Sequence, residues 1–231
     1  MTDRAFTPAA GRLVPLRLYD PIVSLTRERL WRSLLAMHAA PRPEDVIVDV
    51  GCGTGSLALL LNRVEPRARV IGVDPDPGTL ELARRKAAAT GSTTGPGSGP
   101  APVPGPGPEW LTGMGDAVAD LVGTGAADTV VSSLVLHQCP VPMKRAVLAS
   151  VHAALRPGGK LVIADYGRQR TTAMRLAFRI VQLADGKEDT QPNADGILPR
   201  LIAEAGFHGV REAETVATVT GSMSIYVAHR G

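Results

Sequence analysis

VIVDVGCGTG, residues 46–55, is the stretch on which the reading of this chain turns. Val46, Ile47 and Val48 lead into Asp49 and Val50, and then Gly51, Gly53 and Gly55 alternate with Cys52 and Thr54. A short β-branched run that ends in glycines has the pattern of a buried parallel strand running into a loop. Leu57, Leu59, Leu60 and Leu61 follow at positions suited to a helix. The unit therefore reads strand, glycine loop, helix. Glycine serves where backbone takes positive φ or meets a ligand with no Cβ between them. Three glycines alone say little; here the strand, the helix and Asp49 accompany them.

Downstream, residues 69–74 (RVIGVD) form a second apolar run that ends in an acid. In nucleotide-binding α/β units, an acid at this place accepts hydrogen bonds from ribose hydroxyls. Asp74 could instead cap the next helix. Asp76, in Pro75-Asp76-Pro77, can cap the helix running to residue 89 and leave Asp74 free. Residues 109–112 read as a third strand, with Gly115-Asp116-Ala117 at its end and a weak helix to about 122. A fourth strand spans 128–134 and a helix 143–154. The turn Arg156-Pro157-Gly158-Gly159 then leads to a fifth strand over 160–165, followed by Tyr166-Gly167. Strands alternating with helices predict a mostly parallel α/β sheet covered on both faces.

Beyond it lie a helix over 171–184, a loop over 186–193, and a short helix over 197–205 that Gly206 stops. Residues 210–216 and 222–229 read as an antiparallel hairpin at the sheet edge. Before the first strand, 16–39 reads as helical, with Asp20 as cap and Pro21 in the first turn. It either packs on the sheet or forms a lid with Tyr19 near the cofactor. Residues 90–108 are rich in Gly and Pro, cannot bury a core, and read as a disordered surface insertion. One domain over 1–231 is expected, with a helical lid in 1–40 and a helical cap on the substrate side in 167–208.

Composition narrows the function. The 231 residues carry 44% hydrophobic and only 3% aromatic content, at a formal charge of +3 and a pI near 9.1. Few aromatics and scattered arginines speak against a nucleic-acid partner. Two cysteines give no disulfide framework, and the five dispersed histidines form no metal-binding pattern. No secretory signal or membrane span is apparent, so a cytoplasmic protein, monomeric or homodimeric, is expected.

Asp49, Asp74, Asp116 and Ser133 thus fall at the carboxyl ends of successive strands, where parallel sheets bind ligands. A dinucleotide wants GxGxxG, but here the spacing is GxGxG with Ser56 next. A carboxylate at Asp49 would repel pyrophosphate. It suits a cationic amino group or a hydrogen bond to the loop. S-adenosylmethionine carries an ammonium, a sulfonium and no phosphate.

On these stretches the sequence resembles the class I S-adenosylmethionine-dependent methyltransferases, particularly the branch of the ubiquinone/menaquinone-biosynthesis C-methyltransferases. VIVDVGCGTG is similar to that family's first motif, VIGVDPDPGTLELAR to its second and MGDA to its third. ADTVVSSLVLHQ and LRPGGKLVIADYG are similar to its fourth and fifth strand motifs. The resemblance implies a Rossmann-like, doubly wound, seven-stranded sheet with an antiparallel last strand. It implies that Gly51, Cys52 and Gly53 present backbone to the methionine part of the cofactor, with Thr54 beside them. Asp74 would hold the ribose, Pro75 would lie near the adenine, and Asp116 and Ala117 would touch its edge. Ser133 would sit against the methionine moiety.

The expected reaction is an in-line displacement that carries a methyl group to a small, partly apolar acceptor of quinone-like, aromatic or secondary-metabolite type. Such a step needs alignment and exclusion of water, and a base only if the acceptor must lose a proton. His137 follows the fourth strand and suits a base, although it could equally orient substrate or pack in the loop. Tyr19, Gln138 and Tyr166 are the candidate substrate-positioning residues, and Tyr166 could also be a pocket wall. Cys52 reads as a space-filler. Asp185 and Asn193 could close the pocket or cap turns. Two rival functions remain: a non-catalytic S-adenosylmethionine-binding partner protein, and an NAD-dependent oxidoreductase.

Overall fold

Alternation along the strands decides the layers. In β1 (Val46–Val50), Ile47 joins one apolar core while Val48 and Val50 join the other. In β5 (Leu155–Tyr166), Val162 and Ala164 face the first core and Leu161 and Ile163 the second. Strands buried on both faces need cover on both, and the intervening helices provide it. The computed structural model describes residues 27–91 and 105–231.

The elements run α1 (Glu28–Ala39), β1, α2 (Ser56–Val64), β2 (Arg69–Asp74), α3 (Pro77–Gly91), β3 (Glu109–Thr112), α4 (Val118–Val122), β4 (Ala127–Ser133), α5 (Val141–Ala154) and β5. There follow α6 (Thr172–Asp185), α7 (Lys187–Ala194), α8 (Leu198–Glu204), β6 (Phe207–Thr218) and β7 (Gly221–Arg230). The sheet has seven strands in the order β3-β2-β1-β4-β5-β7-β6. Neighbours among β3, β2, β1, β4 and β5 are parallel, and β7 is antiparallel to both β5 and β6. This is the Rossmann-like, doubly wound arrangement with a terminal hairpin. The order reverses between β1 and β4, which opens a crevice at their carboxyl ends.

On one face, Trp31 and Leu35 of α1, Leu57 and Leu61 of α2, and Phe178 and Val181 of α6 fill the core. On the other, Val147, Leu148 and Val151 of α5 pack with Leu198, Leu201 and Ile202 of α8.

Three elements differ from the sequence reading. The first helix begins at Glu28, after Arg27 at φ 59°. Residues 1–26, with Tyr19 and the N-terminal part of the expected lid, lie outside the described residues, as do 92–104 of the Gly/Pro-rich stretch. Secondly, residues 186–193, read as a loop, are largely the helix α7. Its Asp, Thr, Pro and Asn content gives poor helix propensity, and tertiary anchors supply what propensity does not. Asn193 is buried and donates from Nδ2 to the Tyr166 carbonyl at 3.1 Å. Lys144 of α5 donates from Nζ to the Asp189 carbonyl at 2.9 Å. Thirdly, β5 starts at Leu155 rather than at residue 160. Ala127 pairs with Leu155 and Thr129 with Lys160, so Arg156–Gly159 form a bulge inside a continuous strand.

Trp31 anchors α1 on the sheet with none of its surface exposed. Trp31→Ala is expected to lower unfolding free energy by about 3–5 kcal/mol. Equilibrium urea denaturation checks this, and a loss under about 1 kcal/mol would show that α1 contributes little to the core.

Candidate active site

The glycine turn after β1 hangs from β2: the amides of Gly51 and Cys52 donate to the Val73 carbonyl at 2.8 and 3.1 Å. Gly51 has φ +69°, and a Cβ there would run into the Val135 side chain. This close approach brings the loop after β4 directly over the turn. Gly55, at φ +76°, answers a different need. The Trp110 indole of β3 lies where a Cβ of Gly55 or of Gly72 would stand. The third glycine of the motif thus makes room for a tryptophan rather than for a phosphate.

Asp74 is buried at the end of β2. Its Oδ2 accepts from the Gly53 amide at 2.9 Å and its Oδ1 from the Asp76 amide at 3.0 Å. Burial raises its pKa. Each oxygen retains capacity for a further donor. Asp76 caps α3 as anticipated, accepting from the Gly78 amide at 2.8 Å and the Thr79 hydroxyl at 2.9 Å. The Gly113 amide donates to the Asp74 carbonyl at 3.1 Å. That bond sets the turn Gly115–Ala117 beside the end of β2. Half-buried Pro75, exposed Asp116 and half-buried Ala117 therefore share one rim with Asp74.

Asp49 differs from the other acids. It is fully buried, and among the described residues neither carboxylate oxygen has a hydrogen-bond partner at ordinary distance, although the Ala58 amide lies near enough to favour its charged form. Burial pushes its pKa up to about 7; the nearby Arg32 guanidinium opposes that rise, and Asp74 adds to it. A buried carboxyl without donors is costly unless it is protonated or meets a cation. The sequence held no signal for Arg32, whose distance from Asp49 along the chain hides their proximity. Thr54 is buried, with its hydroxyl accepting from Lys86 Nζ at 2.7 Å; Lys86 also reaches Ser56 Oγ at 3.1 Å. Lys86 lies on α3, and the sequence reading did not single it out. Cys52 packs near Gly72. Burial, with Asp49 and Asp74 nearby, drives its thiol pKa upward, which fits a space-filler and not a nucleophile.

Across the crevice, β4 ends at half-buried Ser133. Its neighbour Ser132 is buried and donates to the Val50 carbonyl at 2.9 Å, joining β4 to β1. Leu134 then adopts φ +57°, a conformation that costs a bulky L-residue about 1–2 kcal/mol. Its amide donates to the Ala164 carbonyl at 3.0 Å. This bend carries Val135 onto Gly51 and starts the turn Leu136–Gln138.

His137 sits in that turn, 4% exposed, between two carboxylates. Nδ1 lies 2.7 Å from Asp165 Oδ1 and Nε2 lies 3.3 Å from Asp185 Oδ2. Burial alone would lower its pKa, but Asp165 and Asp185 outweigh that and push it up to about 9. A pKa raised in this way favours the protonated ring at neutral pH, and both nitrogens lie against carboxylates, a poor arrangement for a base. The sequence reading of His137 as a base meets this obstacle. Asp165 lies next to the end of β5 as Asp49 does in β1, and Asp74 ends β2; that repeated pattern was its available signal. Tyr166 stands edge-on to His137, ring centroids 5.0 Å apart, and its hydroxyl bonds Thr220 Oγ1 at 2.7 Å. Its phenol is thus a wall with its polar end already occupied. Gln138 is half-buried, its amide donating to the Val135 carbonyl at 3.3 Å.

The residues present fit S-adenosylmethionine. Asp49 lies at the glycine turn as a negative group suited to a cationic ligand end, Asp74 has room for hydroxyl donors, and Gly51 and Gly53 add no side chains to the turn. A model of a methyltransferase domain matches residues 48–161. A demethylmenaquinone methyltransferase of Thermus thermophilus is 30% identical over 166 residues, 71% of this chain and 66% of that protein. A malonyl-[acyl-carrier protein] O-methyltransferase of Methylococcus capsulatus is 29% identical over 165 residues, 71% of this chain and 52% of that one. The chain spans between half and two thirds of the length of these relatives. Among solved structures, the magnesium protoporphyrin IX methyltransferase of Synechocystis, crystallised with bound SAH, shares the fold. Its TM-score is 0.64 at 21% identity, over 94% of this chain and 89% of that one. No helix among the described residues is long and apolar enough to cross a membrane.

A raised histidine pKa stabilises the fold at low pH. The contribution of His137 is fully present below about pH 6.5 and is lost as pH rises through about 9. Denaturation of wild type is expected to lose on the order of 3 kcal/mol across that interval from this group. His137→Gln should flatten the curve. A wild-type profile already flat between pH 7 and 10 would refute the clamp.

Proposed function

This chain belongs to the class I S-adenosylmethionine-dependent methyltransferases, and on that premise we propose that it methylates a small, partly apolar organic acceptor of quinone-like or aromatic type. The observation that carries the reading is Asp49, a fully buried carboxyl just before the glycine turn, close to Asp74 and without a hydrogen-bond partner at ordinary distance among the described residues. That pair suits a cationic amino acid joined to a ribose and disfavours pyrophosphate. The bound cofactor supplies a methyl group already activated on a sulfonium.

The chain's own work is to bind, orient and exclude water. Asp49 neutralises the ammonium, and the Gly51–Gly53 turn offers backbone to the same end of the ligand. Asp74 accepts from the ribose, with Pro75, Asp116 and Ala117 around the adenine. Ser133 and the loop through Val135 cover the methionine side. Tyr166 and Gln138 line the acceptor side. His137 meets the acceptor side as a cation, because Asp165 and Asp185 keep it charged. A quinone-like acceptor is supported by the demethylmenaquinone methyltransferase among the relatives. The mild net charge and 3% aromatic content support a small-molecule partner over nucleic acid. We place the protein in the cytoplasm as a monomer or homodimer.

Calorimetry with S-adenosylhomocysteine and NAD is the test, with transfer of labelled methyl from S-adenosylmethionine to a panel of hydroquinones and phenols. S-adenosylhomocysteine is expected to bind. Its affinity should decline toward tenfold per pH unit as pH drops below about 7, because binding then requires Asp49 to release a proton. Asp49→Asn should bind about tenfold more weakly at pH 8 and lose that pH dependence. Uptake of NAD with indifference to millimolar S-adenosylhomocysteine would sink the reading.

A further inference from the structure

His137 has two carboxylate neighbours, and they are held very differently. Asp165 is 1% exposed and collects four donors. The amides of Leu136, His137 and Tyr166 reach it at 2.7, 3.2 and 2.7 Å, and His137 Nδ1 at 2.7 Å. Among the described residues, the Asp185 carboxylate has His137 Nε2 as its one polar side-chain neighbour, at 3.3 Å. A charge-assisted N–H···O bond prefers about 2.7–2.9 Å, so the Nε2 contact is long and the donor under-used. The Asp185 side chain is 12% exposed, so solvent reaches this side of the ring more readily than the Asp165 side.

Asp185 is also placed where it can move. It is the last residue of α6, followed at once by Gly186 at φ +91° and then by α7. The outward face of α6 carries Leu176, Ile180 and Leu183 in solvent, so only its inner face is packed. Asp165 in turn is the penultimate residue of β5, inside the sheet.

The other charged or ionisable groups around the ring do not compete for Nε2. Lys144 Nζ is taken by the carbonyls of Leu136 and Asp189 at 2.6 and 2.9 Å. The Tyr166 hydroxyl is on Thr220, and the Cys139 thiol points to the Val135 carbonyl at 3.3 Å. The Asp189 charge acts on Lys144 and Cys139.

We propose that Asp185 is an exchangeable counter-ion: it holds the Nε2 side of His137 for an acidic oxygen of the acceptor, a phenolate, enolate or carboxylate, which replaces it on binding. Asp165 is the permanent counter-ion that fixes the ring. Asp185 is then a positioning residue that acts through His137. His137 itself prefers acceptors bearing an ionisable oxygen over neutral isosteres, and Asp185 sets how strong that preference is by competing for the same N–H. No bond is made or broken in the exchange; one anion replaces another on the same N–H. The inference rests on the methyltransferase reading, since it concerns the acceptor side of that site.

The test uses 4-nitrophenol, whose phenolate absorbs visibly, and its neutral isostere 4-nitrotoluene, each titrated into full-length protein with S-adenosylhomocysteine present. Wild type should prefer the phenolate and lower its apparent pKa. Asp185→Ala removes the competing anion, so it should bind the phenolate roughly tenfold more tightly while 4-nitrotoluene is unchanged. Asp185→Glu should restore wild-type behaviour. His137→Gln should abolish the preference between the two probes. In wild type, the His137 Cε1–H resonance should shift with the phenolate and not with 4-nitrotoluene.

Four results would each overturn the proposal: equal changes for both probes in Asp185→Ala, no change for either, no phenolate binding to that variant, or a preference that survives in His137→Gln. S-adenosylhomocysteine binding, measured on the same samples, separates the two levels. If the nucleoside binds and the probes fail, only the counter-ion proposal falls. If wild type ignores the nucleoside, the methyltransferase reading falls with it.

Discussion

Four donors converge on the buried carboxylate of Asp165, and the architecture of the acceptor side depends on that convergence. Two of the amides belong to the turn after β4 and one to the end of β5. A single charge thereby stitches neighbouring strand ends together. A buried carboxylate is expensive to desolvate, and several hydrogen bonds to its charged form offset the cost. The price is repaid in rigidity: the turn cannot drift, His137 is oriented, and Val135 stays on Gly51.

The three acids at or near strand ends form a graded series. Asp165 is fully satisfied, Asp74 holds two loop amides with capacity to spare, and Asp49 has no hydrogen bond at ordinary distance among the described residues. Structure alone explains the first. The second explains how the glycine turn is tied to β2 and still leaves room for a hydroxyl-bearing ligand. Folding has no use for the third, since an unpartnered buried carboxylate lowers stability. Groups of that kind mark sites where a ligand completes the hydrogen bonding. The same logic separates Asp165 from Asp185 on the two sides of one imidazole.

Much of the fold was legible because its signals are local. The run before Gly51 alternates between two cores as a doubly covered strand must, and Asp76 caps α3 from two and three residues away. The hairpin of β6 and β7 followed from two apolar runs about a short turn. What escaped was set by contacts distant in sequence. Residues 186–193 have the composition of a loop, yet α7 forms because Asn193 and the Asp189 carbonyl are claimed by partners on β5 and α5. The bulge at Arg156–Gly159 looked like a turn because its closure depends on register with β4.

The glycine motif, the acids near the strand ends and the alternation of strand and helix were determined by the sequence itself. Each is a short-range pattern whose chemistry does not depend on what packs against it. Only the tertiary structure decided that Gly55 faces an indole, that Arg32 comes near Asp49 and that Lys86 holds Thr54. It alone decided that His137 lies between two carboxylates that favour its charged form. A side chain's protonation state is fixed by burial and by the charges around it. Those neighbours, Asp165 and Asp185, lie 28 and 48 positions away along the chain and meet the ring only once the sheet has closed.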